Sequence, residues 1–354
     1  MNKRISKKIK IGNTFIGGDT PVSVQSMTNT DTCDIDATYN QVKALQDRGC
    51  DIVRMAVPNK EASTIFYKLK EKGITIPLVA DIHFDYKLAI LSAENGADKI
   101  RINPGNIGSD DNIKAVVKSC NEKSIPIRVG VNSGSLDKEI LAKYGHVCAD
   151  ALCESLLKSA AILERFDFNN IVLAIKSSDP RMMIDANRKA AQLCDYPLHL
   201  GVTEAGSMRM GVMKSAVGIG SLLTEGIGDT MRVSLTADPL YEIDWGIKIL
   251  EAAGIREKKG IEIVSCPTCG RTQIDLIGLV DEFESRMTTE VTNKKPLKVA
   301  IMGCVVNGPG EAKEADIGIA GGKGEALLFK KGEIIRKLPE DGLVTALIDE
   351  INKM

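Results

Sequence analysis

Eight times between residues 22 and 253, a short apolar run ends in polar residues and gives way to an amphipathic helical pattern. Period-two alternation marks strands, period 3.6 marks helices, and strands joined through helices can lie parallel. The strand patterns cover 22–26, 51–57, 78–82, 99–102, 127–131, 171–175, 198–202 and 231–235. The helical patterns between and after them cover 37–48, 61–71, 86–94, 112–121, 149–165, 181–193, 210–223 and 240–253. Eight such units in about 240 residues match the size and alternation of a (β/α)8 TIM barrel. An open, doubly wound sheet is the alternative, weakened because no GxGxxG run follows the first strand. Residues 9–21 read as a hairpin ahead of the first unit.

The charged, Gly-ended turn Arg256-Glu-Lys-Lys-Gly260 interrupts the repeat. It sets a boundary between a barrel domain over 1–258 and a small α/β domain over 259–354. In the smaller domain, strands are expected over 261–264, 297–301, 317–320, 326–329 and 333–336, with helices over 275–286 and 343–352. Its first two strands each end in a cysteine-bearing loop. Cys266-Pro-Thr-Cys269 follows one, and Cys304 with a Gly-rich run to Glu311 follows the other. Three thiolates are one short of the usual set for a structural zinc or a fully Cys-ligated iron–sulfur cluster. This leaves either a catalytic metal with an open position or a cluster whose fourth ligand is something else, Glu311 being the nearest oxygen in sequence.

The remaining six cysteines are scattered and read as small core hydrophobes. Nine in all is an odd number in a chain with no apolar signal segment, so reduced thiols and a cytoplasmic setting are expected. A formal net charge of -1 points to neither nucleic acid nor a membrane surface.

In a barrel, chemistry belongs to the C-terminal ends of the strands. Read in order, those ends carry Arg54, Asp81 with His83, Arg101 with Asn103, Arg128 with Asn132, Lys176, Thr203 with Glu204, and Arg232 with Ser234. Four arginines and a lysine at one mouth exceed what a neutral substrate requires. Guanidinium forks bind phosphate oxygens well, so a substrate with at least two negative charges is expected. Lys176 also admits a Schiff-base role, as in aldolase-type barrels. His83 is a candidate for supporting or proton-transfer work, and Glu204 for contact with a substrate hydroxyl or proton transfer.

The runs Val24-Gln-Ser-Met-Thr-Asn29, Val79-Ala-Asp-Ile-His-Phe84, Ile100-Arg-Ile-Asn-Pro-Gly-Asn-Ile-Gly108, Leu200-Gly-Val-Thr-Glu-Ala-Gly206, Ser265-Cys-Pro-Thr-Cys-Gly-Arg271 and Gly303-Cys-Val-Val-Asn-Gly-Pro-Gly-Glu311 closely resemble the 4-hydroxy-3-methylbut-2-enyl diphosphate synthase family. The resemblance covers nearly the whole chain. It implies a TIM barrel followed by a small α/β iron–sulfur domain, with a [4Fe-4S] cluster held by Cys266, Cys269, Cys304 and Glu311. The reaction implied is the two-electron reductive ring opening of 2-C-methyl-D-erythritol 2,4-cyclodiphosphate, with loss of a hydroxyl as water, in the methylerythritol phosphate route to isoprenoids. Reduced ferredoxin or flavodoxin is the implied donor, and a homodimer with a site shared between subunits the implied assembly. Glu204 and Glu311 carry over as catalytic. Arg54, His83, Arg101, Asn103, Arg128, Asn132, Lys176, Arg232, Ser234 and Asn307 carry over as substrate-binding. Ser133 and Ser177 stand where the family pattern leads one to expect Ala. The competing reading is a Schiff-base aldolase or transferase acting through Lys176, with a structural zinc in the second domain. Closure of the two domains on substrate, hinged at 256–260, is a further expectation.

Overall fold

Each barrel strand buries both faces, and that requires helices outside and side chains packed within. In this computed structural model the residues described are 3–293, 295–304, 314–322 and 324–354. The chain forms two compact units, Met1–Arg256 and Glu257–Met354.

The first unit opens with an antiparallel hairpin, β1 (Ile9–Ile11) and β2 (Thr14–Ile16). Eight parallel strands follow: β3 (Ser23–Met27), β4 (Ile52–Ala56), β5 (Leu78–Asp81), β6 (Lys99–Ile102), β7 (Ile127–Asn132), β8 (Ile171–Lys176), β9 (His199–Leu200) and β10 (Thr230–Met231). They run in the order β8-β7-β6-β5-β4-β3-β10-β9. A bridge between Leu173 and Leu198 brings β8 back to β9, where the Leu173 N–H donates to the Pro197 carbonyl at 2.9 Å. The sheet thus closes as a (β/α)8 barrel. Several helices begin on an aspartate cap at the strand C-terminal side. Asp34, Asp85, Asp179 and Asp238 accept from the N–H groups of Ala37, Lys87, Arg181 and Leu240. Pro180 and Pro239 occupy the first helical position after two of those caps.

β9 and β10 are shorter than the apolar patterns at 198–202 and 231–235. After β9 the chain turns through two left-handed residues, Glu204 (φ 50°) and Gly206 (φ 97°). Past β10 one ladder bond continues, from the Arg232 N–H to the Leu200 carbonyl at 2.9 Å. A helix over Lys138–Tyr144, capped by Asp137, was not foreseen.

Strand alternation sorts the barrel interior into layers. Lowest, Ile52, Val79 and Val172 pack on Ile9, Ile11 and Ile16 of the hairpin, an apolar floor at the N-terminal end. Two residues further along three strands come Arg54, Asp81 and Ala174, on the same inward face. Gln25, Lys99, Arg128 and His199 lie inside as well, and each is at most 1% exposed.

The second unit is a five-stranded sheet of β11 (Ile261–Ser265), β12 (Leu297–Met302), β13 (Ile317–Gly321), β14 (Ala326–Lys330) and β15 (Glu333–Leu338) in that order. The first three are parallel and the last two antiparallel. Helices Leu276–Glu290 and Leu343–Asn352 supply Phe283, Leu347 and Ile351 to a core shared with Val299 and Ile319. Among the described residues no helix is long and apolar enough to cross a membrane.

Candidate active site

The C-terminal ends of the barrel strands enclose a pocket of about 260 Å³. Arg54, Arg101, Arg128, Lys176 and Arg232 all line it, each from a different strand or the turn after it, with Arg128 reaching up from the start of β7, together with His83, Asn132 and Ser234. Two carboxylates balance part of this charge. Asp81 accepts from Arg101 Nη1 at 3.0 Å and lies 3.6 Å from Arg54 Nε and 3.7 Å from His83 Nε2. Glu242, from the helix Pro239–Ala252, takes Arg232 in a two-pronged bond (2.9 and 3.0 Å) and accepts from Ser26 Oγ at 2.7 Å. Arg128 reaches only an amide, the Gln25 Oε1 at 3.3 Å. Lys176 has no hydrogen-bond partner among the described residues. Four guanidiniums and the Lys176 amine against two carboxylates leave the pocket short of negative charge.

Burial opposes the charged form of every group here, and the neighbours decide the outcome. For Asp81, burial pushes upward, yet the guanidinium fields of Arg54, Arg101 and Arg128 outweigh it and hold the carboxyl at about 2. Burial pulls Arg54 down to about 10 despite Asp81 beside it, so it stays charged at neutral pH. Lys176 is pushed well below the usual lysine range, first by burial and then by Arg54, Arg128 and Arg232.

Two glycines make room for this crowd. A Cβ on Gly130 would stand 3.4 Å from Arg101 Nε, and one on Gly201 would stand 3.0 Å from the Arg232 carbonyl and 3.4 Å from Lys176 Nζ. Glu204 is exposed and does not line the pocket, although Thr203 before it does. Its left-handed backbone is uncommon for a non-glycine residue and is the kind of local strain found at functional loops. Asn103 also stands outside the lining. It caps the short helix Pro104–Ile107, accepting from the Gly105 N–H at 3.2 Å, and borders a separate groove of about 600 Å³. In that groove Lys158 is already paired with Glu139 at 2.8 Å, so the larger space is the poorer phosphate site.

In the second unit, β11 and β12 are parallel neighbours with Ser265 opposite Ile301. Their cysteine loops therefore leave the same end of the sheet. The loops are tied together: Gln273 N–H donates to the Gly303 carbonyl at 2.9 Å, and Gly303 N–H donates to Cys266 Sγ at 3.3 Å. Cys304 is buried, Cys266 half-buried and Cys269 exposed. Backbone N–H donation at Arg271 is the main influence holding the Cys269 thiol below its ordinary range. The surroundings of Cys269 thus favour its thiolate, the donor type an iron–sulfur group takes. Among the described residues no three His, Cys, Asp or Glu side chains come together as a metal site. Asn307 and Glu311 lie outside the described residues.

A family model described as the GcpE TIM-barrel domain matches residues 6–247, and one for the GcpE protein C-terminal domain matches 262–353. The chain belongs to the GcpE family. It is 60% identical over 348 residues, 98% of each chain, to 4-hydroxy-3-methylbut-2-en-1-yl diphosphate synthase (flavodoxin) of Clostridium perfringens. The Clostridium tetani protein of the same name is 56% identical over the full length of both chains. Among solved structures, 7,8-dihydropteroate synthase of Vibrio fischeri superposes with a TM-score of 0.52 at 14% identity, covering 72% of this chain and all of that one. That likeness speaks to the barrel fold alone.

Glu242, Lys99 and His199 were missed in the sequence as contributors to this GcpE barrel. Lys99 carried a signal, since it sits two residues before Arg101 on the same strand face. Glu242 carried none, because a helix residue's partner across the barrel wall is not written in its local pattern.

Proposed function

We propose that this chain converts 2-C-methyl-D-erythritol 2,4-cyclodiphosphate to 4-hydroxy-3-methylbut-2-enyl diphosphate, with a [4Fe-4S] cluster held by Cys266, Cys269, Cys304 and Glu311. The observation that carries this reading is a cation-walled pocket on a chain that shares 60% of its residues with a synthase of that name. When bound, such a cluster supplies electrons one at a time and an iron with Lewis acidity, which no side chain can do.

The chain's own residues do the rest. Arg54, Arg101, Arg128, Lys176 and Arg232 hold the two phosphates, and their surplus charge is met only when the anion is seated. Asp81 and Glu242 fix Arg54, Arg101 and Arg232 in place beforehand, so little orientation is left to the moment of binding. Asn132, Ser234 and His83 meet the ring and phosphate oxygens, while Asn103 and Asn307 contribute from flanking loops. Glu204 is exposed at the mouth, where it supplies a proton to the departing hydroxyl; Glu311 is the carboxylate ligand of the cluster.

The electron donor we assign is reduced flavodoxin, the word carried in the relatives' names, with ferredoxin as the substitute. A homodimer is supported by an uncharged, exposed stripe of Met210, Met213 and Val217 on helix Met208–Thr224. The reading places the protein in the cytoplasm, at work on a small-molecule substrate and not on nucleic acid or a membrane. Lys176, buried and driven toward the neutral amine, is the one feature that also suits a Schiff base.

Anaerobically purified protein tests the proposal directly. About four iron and four sulfide per chain, with turnover of the cyclodiphosphate, is the expected result. A colourless zinc protein that borohydride plus substrate traps on Lys176 would overturn it.

A further inference from the structure

Below the pocket and above the apolar floor, the barrel holds a layer that branched apolar residues normally fill. Here it contains Gln25 from β3, Lys99 from β6, Arg128 from β7 and His199 from β9, none more than 1% exposed. Four atoms of this layer have no partner among the described residues: Gln25 Nε2, Lys99 Nζ, Arg128 Nε and His199 Nε2. The first three are donors, and the fourth is one whenever the Thr230 hydroxyl donates to Nδ1, its 2.8 Å partner. A layer of donors without acceptors is the reverse of a satisfied core.

The groups shown to face Lys99 are cationic or neutral. Arg128 enters from β7 and Arg54 from β4, with the His199 imidazole from β9. At Lys99's own register β5 offers only Val79, and its Asp81 is taken by Arg101 and Arg54. Glu242 is taken by Arg232. Among the described residues no carboxylate is left for the Lys99 ammonium.

We propose that Lys99 is a proton-loading residue: its amine is uncharged in the free protein and takes one proton from solvent when a diphosphate-bearing ligand seats in the pocket above. The proton goes from bulk buffer to Nζ, no covalent bond forms or breaks, and the seated anion supplies the negative charge that the layer lacks. Burial first, then the neighbouring arginines, drive this amine well below the ordinary lysine range, as the arrangement requires. Lys99 does not line the pocket, so it supports binding and touches no reacting atom. This inference rests on the function proposed above, since the seated anion is that reading's diphosphate.

Calorimetric titration of the holoenzyme with the cyclodiphosphate, and separately with inorganic pyrophosphate, tests it in buffers of different ionisation enthalpy. Wild-type protein is expected to take up a proton that Lys99→Met does not, a difference of about one proton per site. Affinity is expected to weaken about tenfold per pH unit between the free and bound pKa of the amine, a dependence that Lys99→Met flattens. Nitrogen NMR of the wild-type lysine side chains should show Lys99 as amine when free and ammonium when bound, which keeps the test alive if the variant does not fold. Binding without proton uptake, uptake undiminished in Lys99→Met, or an ammonium at Lys99 in the free protein each overturn the proposal; any uptake common to both proteins belongs to Lys176, which lines the pocket. Binding of pyrophosphate with proton uptake, but no binding of the cyclodiphosphate, would spare Lys99 and sink the assigned substrate. A pocket that binds neither anion overturns both.

Discussion

Asp81 sets the charge balance of the pocket. It is the carboxylate that Arg54, Arg101 and His83 share. Asp81→Asn leaves two largely buried guanidiniums without a counter-charge, a loss of about 3–5 kcal/mol for a broken buried pair, to be read from denaturant midpoints. The sign of its pH effect follows from a folded pKa of about 2, below the ordinary 3.8. The stabilisation is complete above the ordinary value and is lost as pH falls through about 2. Acid titration of stability should therefore show a limb in wild type that Asp81→Asn lacks. Cys304→Ser should lose iron and activity together, and a brown, active Cys304→Ser protein would remove Cys304 from the ligand set. Much of this site was legible residue by residue, because arginines recurring on the barrel strands announce themselves. What the residues could not announce was their pairing. Nothing around Glu242 in the sequence says that it crosses the barrel wall to Arg232 and Ser26.

At the scale of elements, alternation did most of the work, and its failures have physical causes. The helix over 343–352 and the long inner strands were plain, since their apolar periods are unbroken. β9 fell short because left-handed backbone at Glu204 and Gly206 turns the chain away, and β10 then has no β9 partner beyond Leu200. The helix Lys138–Tyr144 escaped because only Ile140 of its seven residues is buried, so it shows little amphipathic signal. The hairpin was expected, but not that β1 and β2 would supply half of the barrel floor. Ile11→Ala should cost about 2–5 kcal/mol as a cavity in that floor and leave ligand affinity near wild type. Gly201→Val puts branched carbon against the Arg232 carbonyl and Lys176. It should weaken cyclodiphosphate binding on the order of tenfold, about 1.4 kcal/mol, in a titration where the circular dichroism spectrum stays unchanged.

For the whole molecule, each unit has its own core, and the functional groups stand at strand ends in both. The exposed stripe on helix Met208–Thr224 belongs to this scale, since it does nothing for its own barrel. Val217→Glu should shift the proposed dimer toward monomer in sedimentation, and an unchanged profile would remove this stripe from the proposed contact. The hairpin that closes the barrel floor has one more consequence, which concerns traffic. A chamber sealed at one end has a single doorway, so product leaves by the route the next substrate must use. Turnover then runs as a queue and not as a stream. The diphosphate product should compete with substrate for the free enzyme, and any molecule wedged in that doorway should block arrival and departure at once.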